Sequence, residues 1–158
     1  MSTHDHDEVQ KKIDASASFY DSFLNVDYRL TDYCLQTITP YFTGSHCLEI
    51  GPANGMMTTQ LVKLFRQVDV AEASETLLNK IPAHPNLRKY HTRIENFNPG
   101  YRYDTIIMSH VLEHIKEPVV ALSSVKNLLL PDGRFIVSVP NAKSIHRLVA
   151  VKNGYAGF

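Results

Sequence analysis

HCLEIGPANG, residues 46–55, is the stretch that decides the fold of this chain. A short apolar run reaches an acid and then breaks into a turn bounded by Gly51 and Gly55. Beyond the turn, apolar residues recur at helical spacing, at Met57, Leu61, Leu64 and Phe65. The stretch therefore predicts a strand, a tight loop and a helix.

The loop of this unit is suited to hold a polar ligand. Gly51 lets the backbone turn sharply, and Gly55 lets the start of the helix pack close to the strand. The first N–H groups of the helix then face outward, toward a ligand. Because such loops also bind dinucleotides, and some bind nothing, the loop alone leaves the ligand open.

Composition limits the possible partners. The chain has 158 residues, enough for one domain, with 44% hydrophobic and 20% charged residues. Its 16 basic and 16 acidic residues balance, so charge gives no reason to expect nucleic acid or an anionic membrane as a main partner. No apolar run approaches the ~20 residues that span a bilayer.

The cysteines and the N-terminus indicate a compartment. Cys34 and Cys47 form neither a disulfide framework nor a zinc pattern, so we expect a reducing, cytoplasmic location. The polar start of the chain lacks the apolar core of a signal peptide. His4 and His6 are expected to be solvent-exposed rather than to share a metal, and we predict no metal site.

The sequence divides into a leader, N-terminal helices and an α/β core. Residues 1–8 are expected to be a disordered leader, and residues 9–43 to form two helices that break at Asn25-Val26-Asp27. The second helix is predicted over Tyr28–Tyr41. Its expected inward side chains are Leu30, Tyr33, Cys34, Leu35, Ile38 and Phe42. Residues 44–158 are the predicted core of a single domain.

A second strand, Gln67–Ala71, ends at Glu72, about 20 residues past the glycine loop. An acid there accepts two hydrogen bonds from a ribose diol. The alternative is an ordinary exposed acid at a strand end.

The rest of the core is predicted to alternate between helices and strands. The strands are expected at residues 87–91, 104–109 and 133–139, and the helices over Glu75–Lys80, from Pro118 onward and over Lys143–Lys152, with a turn at Leu130–Gly133. The helix from Pro118 is expected to be buried through Val119, Leu122, Val125, Leu128 and Leu129.

Three segments resemble one family. YDTIIMSHVLEHI, residues 103–115, resembles the fourth motif of class I S-adenosylmethionine-dependent methyltransferases that act on small molecules. The acid-x-Gly-x-x-x-Gly pattern from Glu49 resembles their first motif, with Ala53 at the middle glycine. LLLPDGRFIVSVPN, residues 128–141, resembles their helix–turn–strand ending. The resemblance covers roughly residues 44–147.

The resemblance implies a Rossmann-like, doubly wound α/β sheet and methyl transfer from S-adenosylmethionine to an oxygen or nitrogen of a small molecule. The implied cofactor-binding residues are Glu49, Gly51, Pro52, Ala53, Asn54, Gly55, Glu72, Ala73, Ile94, Ser109 and His110. Ser109 and His110 would border the methionine end. Arg93 occupies the place of an adenine-binding acid, so Glu95, Asn96 or the backbone of Ile94 is expected to replace it.

Two histidines are candidate general bases, because neutral imidazole titrates near working pH. His110 and His114 share one face if Val111–Ile115 is a helical turn. Alternatively, His110 serves through its backbone carbonyl and His114 only caps or packs the turn. Arg29 is a candidate partner for the methionine carboxylate, or else a surface arginine.

Two other classes of protein share part of the pattern. A nicotinamide oxidoreductase would need the G-x-G-x-x-G spacing, which GPANGM lacks. A non-catalytic or inactive S-adenosylmethionine-binding module would keep every motif and lack an acceptor pocket.

The sheet is expected to be incomplete. The family closes its sheet with two further strands beside the fifth, and no alternating apolar runs remain after Asn141 to form them. The fifth strand would then be an exposed edge. We therefore expect either a truncated product of a longer gene or a homo-oligomer in which a neighbour covers this edge.

Overall fold

The computed structural model describes residues 24–141, with side chains from Arg29 onward. The predicted leader, most of the first predicted helix and the predicted last helix lie outside these residues. The helices are α1 Leu24–Ile38, α2 Thr58–Leu64, α3 Glu75–Lys80 and α4 Pro118–Leu128. The strands are β1 His46–Ile50, β2 Gln67–Glu72, β3 Leu87–His91, β4 Tyr103–Ser109 and β5 Leu129–Ser138. Short 3-10 turns lie at Thr39–Tyr41, Ile94–Asn96 and Leu112–His114.

The five strands form one parallel sheet in the order β3-β2-β1-β4-β5. The chain builds outward from β1 to β3 on one side and then crosses to β4 on the other. The crossing opens a crevice at the carboxyl ends of β1 and β4, where parallel α/β sheets bind their ligands. The predicted Rossmann-like α/β fold is confirmed.

Two apolar clusters bury the sheet. One joins α1 and α2 to alternate residues of the central strands, including Leu35, Cys47, Leu61, Phe65, Val68 and Val70. The other joins α4 to the intervening strand residues, including Leu48, Ile106, Met108, Ala121 and Val125. The central strands β1, β2 and β4 are mostly buried because both of their faces are covered, whereas the outer strands β3 and β5 are partly exposed. Within residues 24–141, no helix combines the length and the apolar character needed to cross a bilayer.

Asp104 fixes the entry into β1. One of its carboxylate oxygens, Oδ2, accepts hydrogen bonds from the backbone N–H groups of Ser45 and His46, each at 2.9 Å. Gly44 has a φ of +62°, and a Cβ there would lie 1.9 Å from Asp104 Cγ. The loop before β1 therefore passes Asp104 at a distance that only glycine allows.

The predicted break before α1 is wrong. Asn25, Val26 and Asp27 lie within the helix, which is already formed at Leu24. These residue types weaken a helix only slightly, and no glycine or proline is present to end it. The inward face is also narrower than predicted: Leu35 and Ile38 are buried, whereas Leu30 and Tyr33 are 60% and 71% exposed.

The buried face of α4 is rotated from the prediction. Ala121, Val125 and Leu128 are buried, whereas Val119 is 75% exposed and Leu122 is 37% exposed. The prediction placed the larger apolar side chains, Val119 and Leu122, on the buried face. The helix instead turns the small Ala121 toward the sheet, where a short side chain allows close packing.

The predicted turn at Leu130–Gly133 is instead part of β5. Leu129 pairs with Tyr103 and Arg134 pairs with Thr105, so the intervening residues of β5 form an irregularity. Proline is tolerated there because β5 has a neighbouring strand on only one side within residues 24–141.

Candidate functional site

The loop after β1 runs through three left-handed residues. Gly51, Ala53 and Gly55 have φ angles of 66°, 50° and 79°. A Cβ on Gly51 would lie 2.4 Å from Val111 Cγ2, and one on Gly55 would lie 2.9 Å from Ile81 Cγ2. Both glycines are therefore required by close contacts as well as by the turn. The atoms nearest to a Cβ on Gly55 belong to Ile81, the residue that follows α3.

Glu72 links this loop to the loop after β2. Its Oε2 accepts a hydrogen bond from the backbone N–H of Ala53 at 3.2 Å, and its Oε1 accepts one from Ser74 N–H at 2.9 Å. The residue is only 6% exposed, so it is not an ordinary surface acid. Burial raises the pKa of Glu72, while these backbone hydrogen bonds and the nearby His91 oppose the rise.

Glu49 is a second buried acid beside the loop. It is 4% exposed, and its Oε2 accepts a 2.6 Å hydrogen bond from Thr58 Oγ1 at the start of α2. Burial raises its pKa to about 7; the Thr58 hydrogen bond opposes the shift and the charge of Glu72 adds to it. Within residues 24–141, no lysine, arginine or histidine forms an ion pair with Glu49.

The carboxyl ends of β4 and β5 are joined through Ser138. Its backbone carbonyl accepts a hydrogen bond from His110 N–H at 2.9 Å, and its hydroxyl lies 2.8 Å from the Ser109 hydroxyl. His110 has a φ of 55°, which is uncommon for a residue other than glycine. The pairing with β5 therefore holds the backbone of His110 in a left-handed conformation at the mouth of the crevice.

The two candidate bases do not share one helical face. His110 precedes the Leu112–His114 turn, which is a 3-10 turn, and its left-handed backbone separates it from that turn. Its imidazole is 58% exposed, with Nδ1 3.6 Å from Oε1 of Glu113. His114 is exposed, and its backbone N–H donates to the carbonyl of Val111 at 2.9 Å. The condition on which a common face depended, a helical turn over Val111–Ile115, is not met, because only the 3-10 turn Leu112–His114 forms there.

Of the remaining predicted cofactor-binding residues, Ala73 and Ile94 follow the ends of β2 and β3, whereas Arg29 lies on α1. Ala73 follows Glu72 directly, and its carbonyl lies 3.1 Å from His91 Nε2. Ile94 is buried and opens the 3-10 turn after β3. Arg29 is exposed on α1, and no hydrogen bond or ion pair within residues 24–141 joins it to the crevice.

Several contacts of the site were not predicted from the sequence. Thr58 holds Glu49, Ser138 holds His110, Val111 packs against Gly51, and Glu113 faces His110. The local sequence signalled only Ser74, since a serine before Glu75 is typical of a helix N-cap; its hydroxyl accepts from Leu77 N–H at 3.4 Å. The other contacts depend on pairing between distant segments.

Comparison with known proteins supports a common family. Residues 20–157 match the methyltransferase domain family. The chain is 24% identical over 118 residues to the mitochondrial ubiquinone biosynthesis O-methyltransferase of Schizosaccharomyces pombe, covering 70% of this chain and 43% of that protein. It is 23% identical over 154 residues to the malonyl-[acyl-carrier protein] O-methyltransferase 1 of Ilyobacter polytropus, covering 94% and 58%.

Solved structures share the fold. The DhpI–SAH complex matches with a TM-score of 0.72 at 21% identity, over 85% of this chain and 69% of that one. The N-methyltransferase NodS of Bradyrhizobium japonicum, in complex with S-adenosyl-L-homocysteine, matches with a TM-score of 0.61 at 18% identity, over 73% and 61%. The chain spans about half the length of the curated relatives that it matches. With its family match extending over most of its length, the chain belongs to the methyltransferase domain family.

Proposed function

We propose that this protein transfers a methyl group from S-adenosylmethionine to an oxygen or nitrogen atom of a small molecule. The observation that carries the proposal is the pair of buried carboxylates, Glu49 and Glu72, beside the glycine loop. Within residues 24–141, neither forms an ion pair with a lysine or arginine. A crevice lined in this way favours a ligand that brings hydrogen-bond donors and positive charge.

S-adenosylmethionine fits this set of acceptors. Its ribose diol donates two hydrogen bonds, which suits Glu72 at the end of β2. Its sulfonium and ammonium groups are cationic, which suits Glu49. An acid at the end of β2 also binds the ribose of dinucleotides, so Glu72 does not distinguish the two cofactors. A nicotinamide dinucleotide would bring an anionic pyrophosphate to the loop beside Glu49, which forms no ion pair with a cation within residues 24–141, and like charges disfavour that arrangement. The position of Glu49 and the missing G-x-G-x-x-G spacing both argue against an oxidoreductase.

The cofactor supplies a methyl group on a sulfonium, which needs no further activation by the protein. The role of the chain is to orient the two reactants and to exclude water. We assign the ribose to Glu72, the adenine to the segment around Ala73 and Ile94, and the methionine end to the loop, Ser109 and His110. Pro52, Asn54 and Gly55 complete the loop that encloses the cofactor.

An oxygen acceptor must also lose a proton. We propose His110 as the base, because it lies exposed at the mouth of the crevice on a backbone fixed by Ser138. The carboxylate of Glu113, 3.6 Å from His110 Nδ1, favours the tautomer with a proton on Nδ1 and leaves Nε2 to accept a proton. His114 is the second candidate, and a role for His110 through its carbonyl is the alternative.

The proposal also covers the N-terminal helices, the compartment and the association of the protein. We propose that the N-terminal helices of residues 9–43 cover the cofactor, with Arg29 as a partner for its carboxylate. A cytoplasmic location is supported by Cys34 and Cys47, which are free thiols in the structure. Association through the outer edge of β5 is proposed because β4 is its only neighbouring strand within residues 24–141.

Two measurements test the function. Calorimetric titrations with S-adenosylmethionine and with NAD come first; binding of NAD alone would overturn the proposal. A methyl-transfer screen over phenols, sugars and amines follows. The second candidate is a non-catalytic S-adenosylmethionine-binding module. Binding without transfer to any acceptor in the screen would favour that candidate.

A further inference from the structure

We propose that Glu49 gives up a proton when the cationic methionine end of the cofactor binds, so that affinity for S-adenosylmethionine rises with pH. This inference rests on the proposed function and extends it. It assigns Glu49 a second role beyond cofactor binding, because the protonation of its carboxyl group would depend on the charge of the ligand.

Glu49 lies on the central strand β1, so its carboxylate is on a covered face of the sheet and away from the outer strands. It pairs with Val70 of β2 and with Ile107 of β4, so strands flank it on both sides. Glu72 lies two residues beyond Val70, and side chains two residues apart on a strand point to the same face. Both carboxylates therefore lie on one face of the sheet, beside the glycine loop.

The surroundings of Glu49 do not neutralise it. Thr58 on α2 is its one hydrogen-bond partner within residues 24–141. The titratable group that acts on it from a neighbouring strand is the Glu72 carboxylate on β2, and the Cys47 thiol lies two residues away on β1 itself; neither is a cation. The nearest flanking side chains of the sheet are apolar. An ionised carboxylate in this position lacks a compensating charge, which makes its ionisation costly.

This environment makes Glu49 responsive to the charge of a ligand. Because its pKa is about 7, the carboxyl group is roughly half protonated at neutral pH in the empty site. A cation bound nearby stabilises the carboxylate and lowers its pKa, so binding releases the remaining proton. At lower pH, binding must displace more proton and is weaker; at higher pH, the carboxylate is already ionised.

The test is calorimetric titration of the parent protein with S-adenosylmethionine in buffers of different ionisation heat, which yields the number of protons released. We expect about half a proton at pH 7, and affinity roughly tenfold higher at pH 8 than at pH 6. Adenosine, which lacks the cationic end, is the comparison ligand, and we expect it to release none.

Glu49→Gln is the matched variant, because glutamine is neutral like the protonated acid and still accepts from Thr58. The α-amino group of the cofactor also titrates, near pH 8, and the variant removes that contribution from the comparison. We expect the parent to release more protons than Glu49→Gln. We also expect the affinity of the parent to rise more steeply with pH than that of the variant.

Thr58 provides a second, independent variant. Its hydrogen bond favours the ionised form of Glu49, so Thr58→Val is expected to move the pH midpoint of binding upward, whereas Thr58→Ser keeps it. Thr59→Val is the control, since the Thr59 hydroxyl donates to the Met56 carbonyl and does not touch Glu49.

The outcomes separate this inference from the proposed function. If the parent fails to bind S-adenosylmethionine at any pH, the proposed function is wrong. If it binds and Glu49→Gln releases as many protons with the same pH dependence, the function stands and the inference is wrong. Equal proton release with adenosine would also overturn the inference, because no cation would then be involved.

Discussion

The carboxylate of Glu72 accepts a hydrogen bond from the backbone N–H of Ala53, across 3.2 Å, and so joins the loop after β2 to the glycine loop after β1. Its other oxygen accepts from Ser74. One buried acid thereby fixes both backbone segments that we assign to the cofactor. Ala53 is held in a left-handed conformation at this contact, with a φ of 50°.

We therefore expect Glu72→Ala to weaken binding of S-adenosylmethionine by about 1.5–3 kcal/mol, the range for hydrogen bonds to a charged group. Calorimetry measures the loss, and circular dichroism checks that the fold is intact. Glu75→Ala, an exposed acid in the first turn of α3, is the control and should bind as the parent does. A folded Glu72→Ala protein with unchanged affinity would remove Glu72 from the site.

A second prediction concerns Gly51. Its φ is left-handed, and a Cβ at this position would lie 2.4 Å from Val111 Cγ2. Both features exclude a side chain, so Gly51→Val should abolish cofactor binding. Gly51→Ala keeps both effects, since its Cβ meets Val111 at the same left-handed φ, but it lacks the additional bulk of valine. We expect that variant to lose stability and most of its affinity.

Gly100 supplies the control for Gly51. It has a φ of +82°, yet a Cβ there would have no neighbour within 4 Å. Gly100→Ala should thus show only the backbone strain, about 1–2 kcal/mol in thermal or urea unfolding. Truncating Val111 in a Gly51→Ala, Val111→Ala double variant should recover part of the binding. If Gly51→Val binds as the parent does, the assignment of the loop to the cofactor is wrong.

The third prediction concerns a buried hub away from the crevice. Asp69 is fully buried and accepts hydrogen bonds from the hydroxyls of Tyr101, at 2.6 Å, and Tyr103, at 2.9 Å. Tyr103→Phe removes one donor from a buried carboxylate and should lower the free energy of unfolding by about 1–3 kcal/mol. Tyr41→Phe, at a residue 64% exposed, should change it little.

The same hub gives a pH dependence. Burial and the charge of Asp69 raise the pKa of Tyr103 above its ordinary range. A phenol whose pKa is higher in the folded state contributes stability below its unfolded pKa of about 10, and that contribution falls as the pH rises above it. Urea unfolding between pH 8 and 11 should therefore show a loss of stability that is smaller in Tyr103→Phe. Equal losses in the two proteins would contradict this.

The sequence predicts the strands better than it predicts which helix faces are buried. β3 and α3 match their predicted bounds, and the central strands β1 and β4 leave clear apolar runs in the sequence because they are buried on both faces. The buried side of α4 could not be read in the same way. Its apolar residues surround the helix, and the sheet selects the side on which small Ala121 allows close packing.

The candidate site divides along similar lines. The loop and Glu72 are visible as spacings along the chain, whereas the contacts between Thr58 and Glu49 and between Ser138 and His110 join separate elements. The shared face of His110 and His114 depended on a helical turn over Val111–Ile115, whereas His110 has a positive φ and is hydrogen-bonded to β5 ahead of a 3-10 turn. That pairing is a tertiary effect that local propensity does not contain.

The fourth prediction distinguishes the two candidate bases. His110→Asn removes the imidazole and keeps a residue that tolerates a left-handed backbone. Once an acceptor has been found, we expect it to lower kcat by about 10²–10⁴-fold, the usual contribution of a general base. The affinity for S-adenosylmethionine should change much less, because the substitution keeps the backbone of position 110 at the methionine end of the cofactor. His114→Asn should have a much smaller effect. A reversal of the two effects would assign the proton transfer to His114, and normal rates in both would leave His110 only a backbone role.

The last prediction concerns the outer edge of β5. Val137, on this strand, is 43% exposed, and within residues 24–141 β5 pairs with β4 alone. The unpaired N–H and C=O groups of an edge strand pair readily with another strand, so we expect this chain to associate, with a sedimentation coefficient that rises with concentration. Val137→Lys places a charge on the edge and should return the protein to a monomer.

Val119→Lys is the matched control for this test. Val119 is 75% exposed on α4, so the substitution makes the same chemical change away from the edge of the sheet. We expect Val119→Lys to associate like the parent, because the contact would run through the backbone of β5 rather than through exposed apolar surface in general. A parent protein that stays monomeric at every concentration would overturn the prediction. Equal dissociation by the two lysine variants would place the contact elsewhere on the surface.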